Sequence, residues 1–378
     1  MNLISLPKEI IEVILLIRIT NEFYLKLLRH TCTTFRLIII DLQVAKRIVI
    51  KRGVPADKCK WAAHNGYLNL LKWARNMGYE WNSRTCSSAA WNGHLKVLKW
   101  ARENGCNWGI RTCANAALNG HLKVLKWARE NGCQWNSRTC EMAASGAHLE
   151  VLQWAHENGC RWNSSTCARA AENGHLEVLK WARHHGCGWD ANICTSAASN
   201  GHLEVLKWSY ENGCTLDKNI CEYAALNGHL EVLKWAHENN FPWNSAICAK
   251  AAWNGHFEVL KWARENGCPW DNFTCANAAK YGYMDILKWA RENGCEWNSW
   301  TCAYAAKNGH LEVLKWARQN GCKWDSRTCL CAASNGHLEV LKWARENGCG
   351  CCGGCGCCGG CCGCSLDLLF RTNPTCSS

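Results

Sequence analysis

From about residue 57 to residue 349, apolar and polar positions follow one pattern that returns every 27 residues. In the copy spanning 82–108, Thr85, Cys86, Ala89 and Ala90 mark a short first helix, and Leu95, Val97, Leu98, Trp100 and Ala101 mark a second. The second set has the spacing of an amphipathic stripe. Asn82 or Ser83 is placed to cap the first helix. Asn92-Gly93 supplies the left-handed turn that ends it, because glycine carries no penalty there. His94 opens the second helix, Asn104-Gly105 ends it, and Cys106-Asn107-Trp108 returns the chain to the next copy. The tryptophan of the second helix falls at Trp73, Trp100, Trp127, Trp154, Trp181, Trp208, Trp235, Trp262, Trp289, Trp316 and Trp343, with no insertion or deletion. A fixed period in the range of about 20–50 residues marks a solenoid. No unit can bury its own apolar face, so units stack on one another.

The pattern predicts where the stacking energy lies. The Ala89-Ala90 pair allows helices to approach closely, and the tryptophan rings are expected to fill the spaces between copies. A fully buried tryptophan would remove about 150–250 Å² from water, worth up to about 4–6 kcal/mol at ~25 cal/mol/Å². Several copies depart from the template. Ala147 stands at a turn glycine, and Gly146 before it is expected to take over the left-handed conformation if one is needed. Leu216 replaces the loop tryptophan, Phe241 the loop cysteine and Tyr283 the histidine. The stretch 209–221 is therefore expected to be softer than its neighbours.

The chain of 378 residues carries a formal charge of +12, which raises nucleic acid as a partner. Its basic residues recur once per copy at positions such as Lys99 and Arg102, with glutamates between them. That is a solvated helix face and not a binding arm, so no nucleic acid is expected. No apolar run approaches the ~18 residues needed to span a bilayer, and the N-terminal run from Ile10 to Ile19 has no cleavage site after it. A cytoplasmic location follows, with the nucleus also open, and the 31 cysteines are expected to be reduced. A zinc site per copy would need four convergent ligands. The two cysteines of a copy, such as Cys86 and Cys106, are expected at opposite ends of a helix pair, so no metal or cofactor is assigned. A His–Cys pair present in every copy is template and not an active site, so no enzyme activity is expected. Residues 350–364 are only glycine and cysteine. They cannot build a packed core, and soft-metal binding there is the less favoured reading.

Two resemblances follow from quoted residues. Thr166-Cys167-Ala168-Arg169-Ala170-Ala171-Glu172-Asn173-Gly174-His175-Leu176-Glu177-Val178-Leu179 resembles the ankyrin repeat. Cysteine replaces the usual proline, and the period is 27 rather than about 33. The missing residues fall at the ankyrin finger, which implies a helix–turn–helix stack with shortened finger loops. In the head, Leu6, Pro7, Glu9, Ile10, Ile14, Leu15, Leu25, Leu28, Cys32, Phe35 and Arg36 resemble the F-box. That resemblance implies docking onto the Skp-type adaptor of a cullin ubiquitin ligase through Leu6, Pro7, Ile10, Ile14, Leu25, Leu28 and Phe35. The layout as a whole is similar to the F-box and ankyrin-like families of giant DNA viruses, which would place the protein in host cytoplasm.

The expected organisation is an F-box-like helical module over 1–50, an ankyrin-like array over 51–349 and a low-complexity tail over 350–378, all-α throughout. The eleven copies can be compared with one another. The positions that vary are those beside the first-helix Cys-x-x-Ala-Ala core, and they nominate a target-binding face: Trp91, Met142, Arg169, Glu172, Tyr223, Leu226, Lys250, Trp253, Lys280, Tyr304 and Lys307. Aromatic and arginine residues suit such a face. The expected function is a protein–protein interaction adaptor, a substrate receptor joining a target protein to the ligase. The alternative is a binding scaffold with no ubiquitin link, whose head only caps the solenoid.

Overall fold

The computed structural model describes residues 57–350. The head residues named above, and 351–378 of the tail, lie outside the described residues. Those described are all-helical. They run as pairs of short helices, from Lys58–His64 and Leu68–Asn76 to Ser326–Ser334 and Leu338–Glu346. Within a pair, the first helix carries the template cysteine and the second the template tryptophan; they are called here the Cys helix and the Trp helix. The chain divides between Leu216 and Asp217 into two compact units, at the copy where Leu216 stands for the loop tryptophan.

Most helices are nine residues long, shorter than the ~12–15 at which an isolated helix becomes marginally stable in water. Caps and packing must therefore hold them. Asn82, not Ser83, caps its Cys helix, accepting from the Arg84 amide at 2.8 Å. Asn136, Asn244, Asp271, Asn298 and Asp325 do the same in their copies, each worth about 1 kcal/mol. Both helices of a copy end in a Schellman turn. In copy 82–108 the His94 amide donates to Ala89 and the Cys106 amide to Ala101, each at 2.9 Å.

The template histidine fastens one copy to the one before it. His94 Nε2 donates to the carbonyl of His64 at 3.1 Å, and His121 Nε2 to that of Trp91 at 3.0 Å. The His121 ring lies where a side chain on Gly93 would be, 2.7 Å from an added Cβ. Gly93 thus meets two demands at once, a φ of +73° and a ring from the next copy. At Ala147 the expectation fails. Gly146 keeps a negative φ of −92° as the helix cap, while Ala147 itself takes φ +62°. The turn needs its left-handed residue one place after the cap, and Gly146 is needed where it stands, because a Cβ there would run into the Leu118 carbonyl.

The interior is made of small and aliphatic residues. Cys86, Ala89, Ala90, Leu98 and Ala101 are fully buried and Val97 nearly so, and the same positions are buried in the other copies, apart from the exposed Ala333 of the last. The tryptophans are not in this interior. Apart from Trp73, each template tryptophan is half-buried. The rings line the loop side as a ladder: Trp81 meets Trp100 edge-on at 5.6 Å, Trp108 meets Trp127 at 5.6 Å, and Trp270 meets Trp289 at 5.7 Å. Arginines cover the loop rings, Arg102 over Trp108 at 4.3 Å and Arg264 over Trp270 at 4.2 Å. The valine, leucine and alanine of the Trp helix already fill the space between copies. The bulky indole is left to the rim, where a ring pair gives about 0.5–1.5 kcal/mol and a cation contact about 0.5–1 kcal/mol.

Candidate binding face

The Cys helices present their varied positions on one side of each unit. In the unit 57–216 the nominated residues stay separate. Trp91 is exposed on the helix Ser83–Trp91, and Met142 is half-buried on Ser137–Ser145. Arg169 and Glu172 pair with each other at 2.6 Å on their own helix, an exposed i,i+3 pair of small energetic weight.

In the unit 217–350 the nominated residues converge. The helices Ser245–Trp253, Asn272–Tyr281 and Ser299–Lys307 stand side by side. Between them lies an open cavity of about 440 Å³ lined by Lys250, Trp253, Lys280 and Tyr304, with Phe273 and Asn277. The Lys280 ammonium lies 3.7 Å from the centre of the Trp253 ring, 4.9 Å from Tyr281 and 6.0 Å from Tyr304. Trp253 packs on Tyr281 at 5.1 Å, and Trp300 on Tyr304 at 5.3 Å. Large rings are left in solvent: Phe273 is 56% exposed, Trp300 39% and Trp253 38%. A cation held over several aromatic rings at the mouth of a groove is the composition of an interface centre.

Fixed polar contacts frame this groove. Asn277 is nearly buried and donates to the Ala249 carbonyl at 2.9 Å, tying two Cys helices together. Ser245 donates to Asp271 at 2.8 Å. Lys250 pairs with Glu222 at 3.0 Å. Asn244 also donates to that carboxyl group at 3.0 Å. Burial would raise the Glu222 pKa, but these two partners outweigh it and hold the group below its usual range. Arg327 stacks on Trp300 at 4.4 Å and is held by Asp325. The other nominated residues lie beside the groove. Tyr223 lies beneath the Lys250 ammonium at 5.9 Å. The Leu226 carbonyl accepts from His256 and Asn254, and Lys307 is exposed, its carbonyl accepting from His337.

Sequence reasoning missed Phe273, Tyr281, Trp300 and Arg327. The signal for Phe273 and Trp300 was present two residues before the template cysteine. That position reads Arg84, Arg111 and Arg138 in early copies and turns aromatic only at Phe273 and Trp300. Among the described residues no group of three or more histidine, cysteine, aspartate or glutamate side chains is placed to hold a metal. No helix there is long and apolar enough to cross a membrane.

Residues 167–208, 221–264, 275–318 and 302–345 match the family model described as ankyrin repeats (many copies). Among solved structures, the human ASB11 ankyrin repeat domain is similar over 42% of this chain and 85% of its own, at 19% identity and a TM-score of 0.35. No curated protein sequence matches the chain. The described residues form an all-helical solenoid of helix pairs, and its stretches 167–208, 221–264 and 275–345 are matched as ankyrin repeats.

Proposed function

We propose that this protein is an adaptor that captures a target protein on the Cys-helix face of residues 217–350 and presents it to a Skp–cullin–F-box ubiquitin ligase through its head. The observation that carries the capture step is the groove in which Lys280 lies over Trp253, Tyr281 and Tyr304 with Phe273 exposed beside it. Its chemistry suits an extended segment with an apolar anchor among the rings and a carboxylate facing Lys280. The ligase step rests on the F-box resemblance of residues 1–50, with Leu6, Pro7, Ile10, Ile14, Leu25, Leu28 and Phe35 as the adaptor contacts. In this reading 51–349 is the receptor, 350–378 is a tail with no part in binding, and the protein works in the cytoplasm. The resemblance to giant-virus families makes a host protein the natural target.

Two measurements test the two halves. The full chain is mixed with a purified Skp-type adaptor and run on size exclusion, beside a full chain carrying Leu6→Asp and Ile10→Asp. Co-elution of the first and not the second supports the ligase step. No co-elution of the folded full chain sinks it, and leaves a scaffold whose head is a cap. For the capture step, a random peptide library is panned on the full chain and on Lys280→Glu. The first is expected to enrich acidic segments with an aliphatic or aromatic anchor, and the second to turn that preference basic. Identical selections from both would remove the groove from the account.

A further inference from the structure

The paired cysteines of the repeats are brought together. The template places one on the Cys helix and one in the return loop 20 residues later, and the sequence pattern suggested that they lie apart. Instead the two side chains cross. Cys86 Sγ points at the Cys106 carbonyl at 3.9 Å, while Cys106 Sγ points at the carbonyl of Asn82, the cap of the Cys86 helix, at 3.4 Å. The same crossing recurs at Cys140–Cys160 (3.8 and 3.3 Å) and at Cys329–Cys349 (3.6 and 3.5 Å). In the nine copies that carry both cysteines, the neighbouring thiol is the largest cause of a shift in the ionisation of one member of the pair.

Plain space filling explains the helix cysteine but not the pairing. Cys59 and Cys221 occupy the helix position in copies whose loop position holds Tyr79 or Phe241, and both remain buried. Among the described residues, no loop cysteine occurs without its helix partner. Two-coordinate chemistry fits such a pair, since no third ligand converges on any of them.

We propose that the nine helix–loop cysteine pairs are dithiol modification sites that close to intrarepeat disulfides when a peroxide or a small-molecule disulfide acts on the folded protein, with Cys329–Cys349 closing first. In each event two S–H bonds break and one S–S bond forms. Two protons leave to solvent, and two electrons reduce the peroxide to water or the small disulfide to two thiols. Order follows access and ionisation. Cys160 and Cys214 keep 3% and 5% of their surface beside fully buried partners, whereas in Cys329 and Cys349, at 4% and 5%, both members of the pair keep some. The Cys329 thiol beside it lowers Cys349 to about 7, which favours its thiolate near neutral pH. Each closure ties a loop of about 20 residues that is already folded back on itself, so it constrains the unfolded chain more than the folded one.

The test uses the full chain, reduced, desalted and exposed to hydrogen peroxide or oxidised glutathione while circular dichroism confirms that its helices persist. Remaining thiols are then blocked with N-ethylmaleimide in denaturant, and non-reduced tryptic peptides are read by mass spectrometry. The copies differ enough in sequence to be told apart, for instance as peptides 85–96 and 103–111. Expected are links at the 20-residue spacing, with Cys329–Cys349 earliest, Cys59 and Cys221 alkylated, and a higher urea midpoint after oxidation. The variant Phe241→Cys supplies the missing partner, and Cys221 should then escape alkylation. Links scattered between copies would overturn the proposal. So would helix and loop cysteines that remain alkylated, or Cys221 unchanged by the Phe241→Cys substitution.

Discussion

The two compact units are cut from one template, yet they carry different outward faces. Two residues after the template cysteine, the first unit has Trp61, Ser88, Asn115, Met142, Arg169 and Ser196, while the second has Tyr223, Lys250, Asn277, Tyr304 and Cys331. In the first unit Arg169 satisfies itself with Glu172 on its own helix. In the second, Lys280 and the rings of Trp253, Tyr281 and Tyr304 reach across three helices. The interior does not share this difference: Leu98 and Leu260 are equally buried. The proposed binding therefore rests on departures from the template, and stability on the template itself. Substitutions at the two kinds of position should separate cleanly.

The largest stability effect is expected at the interior. Leu260→Ala should cost about 3 kcal/mol, within the ~2–5 kcal/mol found for buried leucines, read as a fall in the urea midpoint. The matching change on the face, Trp253→Ala, should move stability by no more than about 0.5 kcal/mol. It should also weaken a peptide selected on the groove at least about tenfold, or about 1.4 kcal/mol, by fluorescence titration. Equal stability losses from the two would erase the distinction. Next in size is the turn. Gly93→Ala must accept a left-handed backbone and displace the His121 ring, at a cost of about 1–2 kcal/mol from the backbone alone. Ala147 already bears that backbone strain, so Ala147→Gly should raise the thermal midpoint by an amount equivalent to about 1 kcal/mol; a lower midpoint would contradict the reading of that turn.

The smallest effect concerns pH. Burial lowers the pKa of His94 and of His148 below the ordinary histidine value, despite their hydrogen bonds to carbonyls. The folded state then binds fewer protons than the unfolded one. Their contribution is complete above the unfolded pKa of about 6.5 and is lost as pH falls through the lower folded values. Urea midpoints taken between pH 7.5 and 5 should decline, and less so in a His94→Gln variant, which keeps an N–H donor. A flat profile in the parent would remove the histidines from the stability account.

The sequence made the period, the helix pairs and their turns legible because these depend on local chemistry. Asn82 and Gly93 act within a few residues of themselves. What it concealed depends on contacts between distant positions. The His94 bond to the His64 carbonyl spans 30 residues, and the Cys86–Cys106 crossing spans 20. The tryptophans misled because hydrophobicity does not tell a core ring from a rim ring; Val97, Leu98 and Ala101 had already filled the interior. On the proposed face, Trp253, Lys280 and Tyr304 were legible as departures from the template. Their convergence around one lysine was not, because it requires the register of three stacked helices. Phe273 and Trp300 stood at a position whose early copies are arginine, and a wider comparison of the copies would have singled them out.

The most direct test of the central claim is hydrogen–deuterium exchange of the full chain with and without a peptide selected on it. Protection confined to 245–253, 272–281 and 299–307 is the predicted result. Protection that instead follows the Trp helices, or falls within 57–216, would contradict the assignment of binding to the varied face of the second unit.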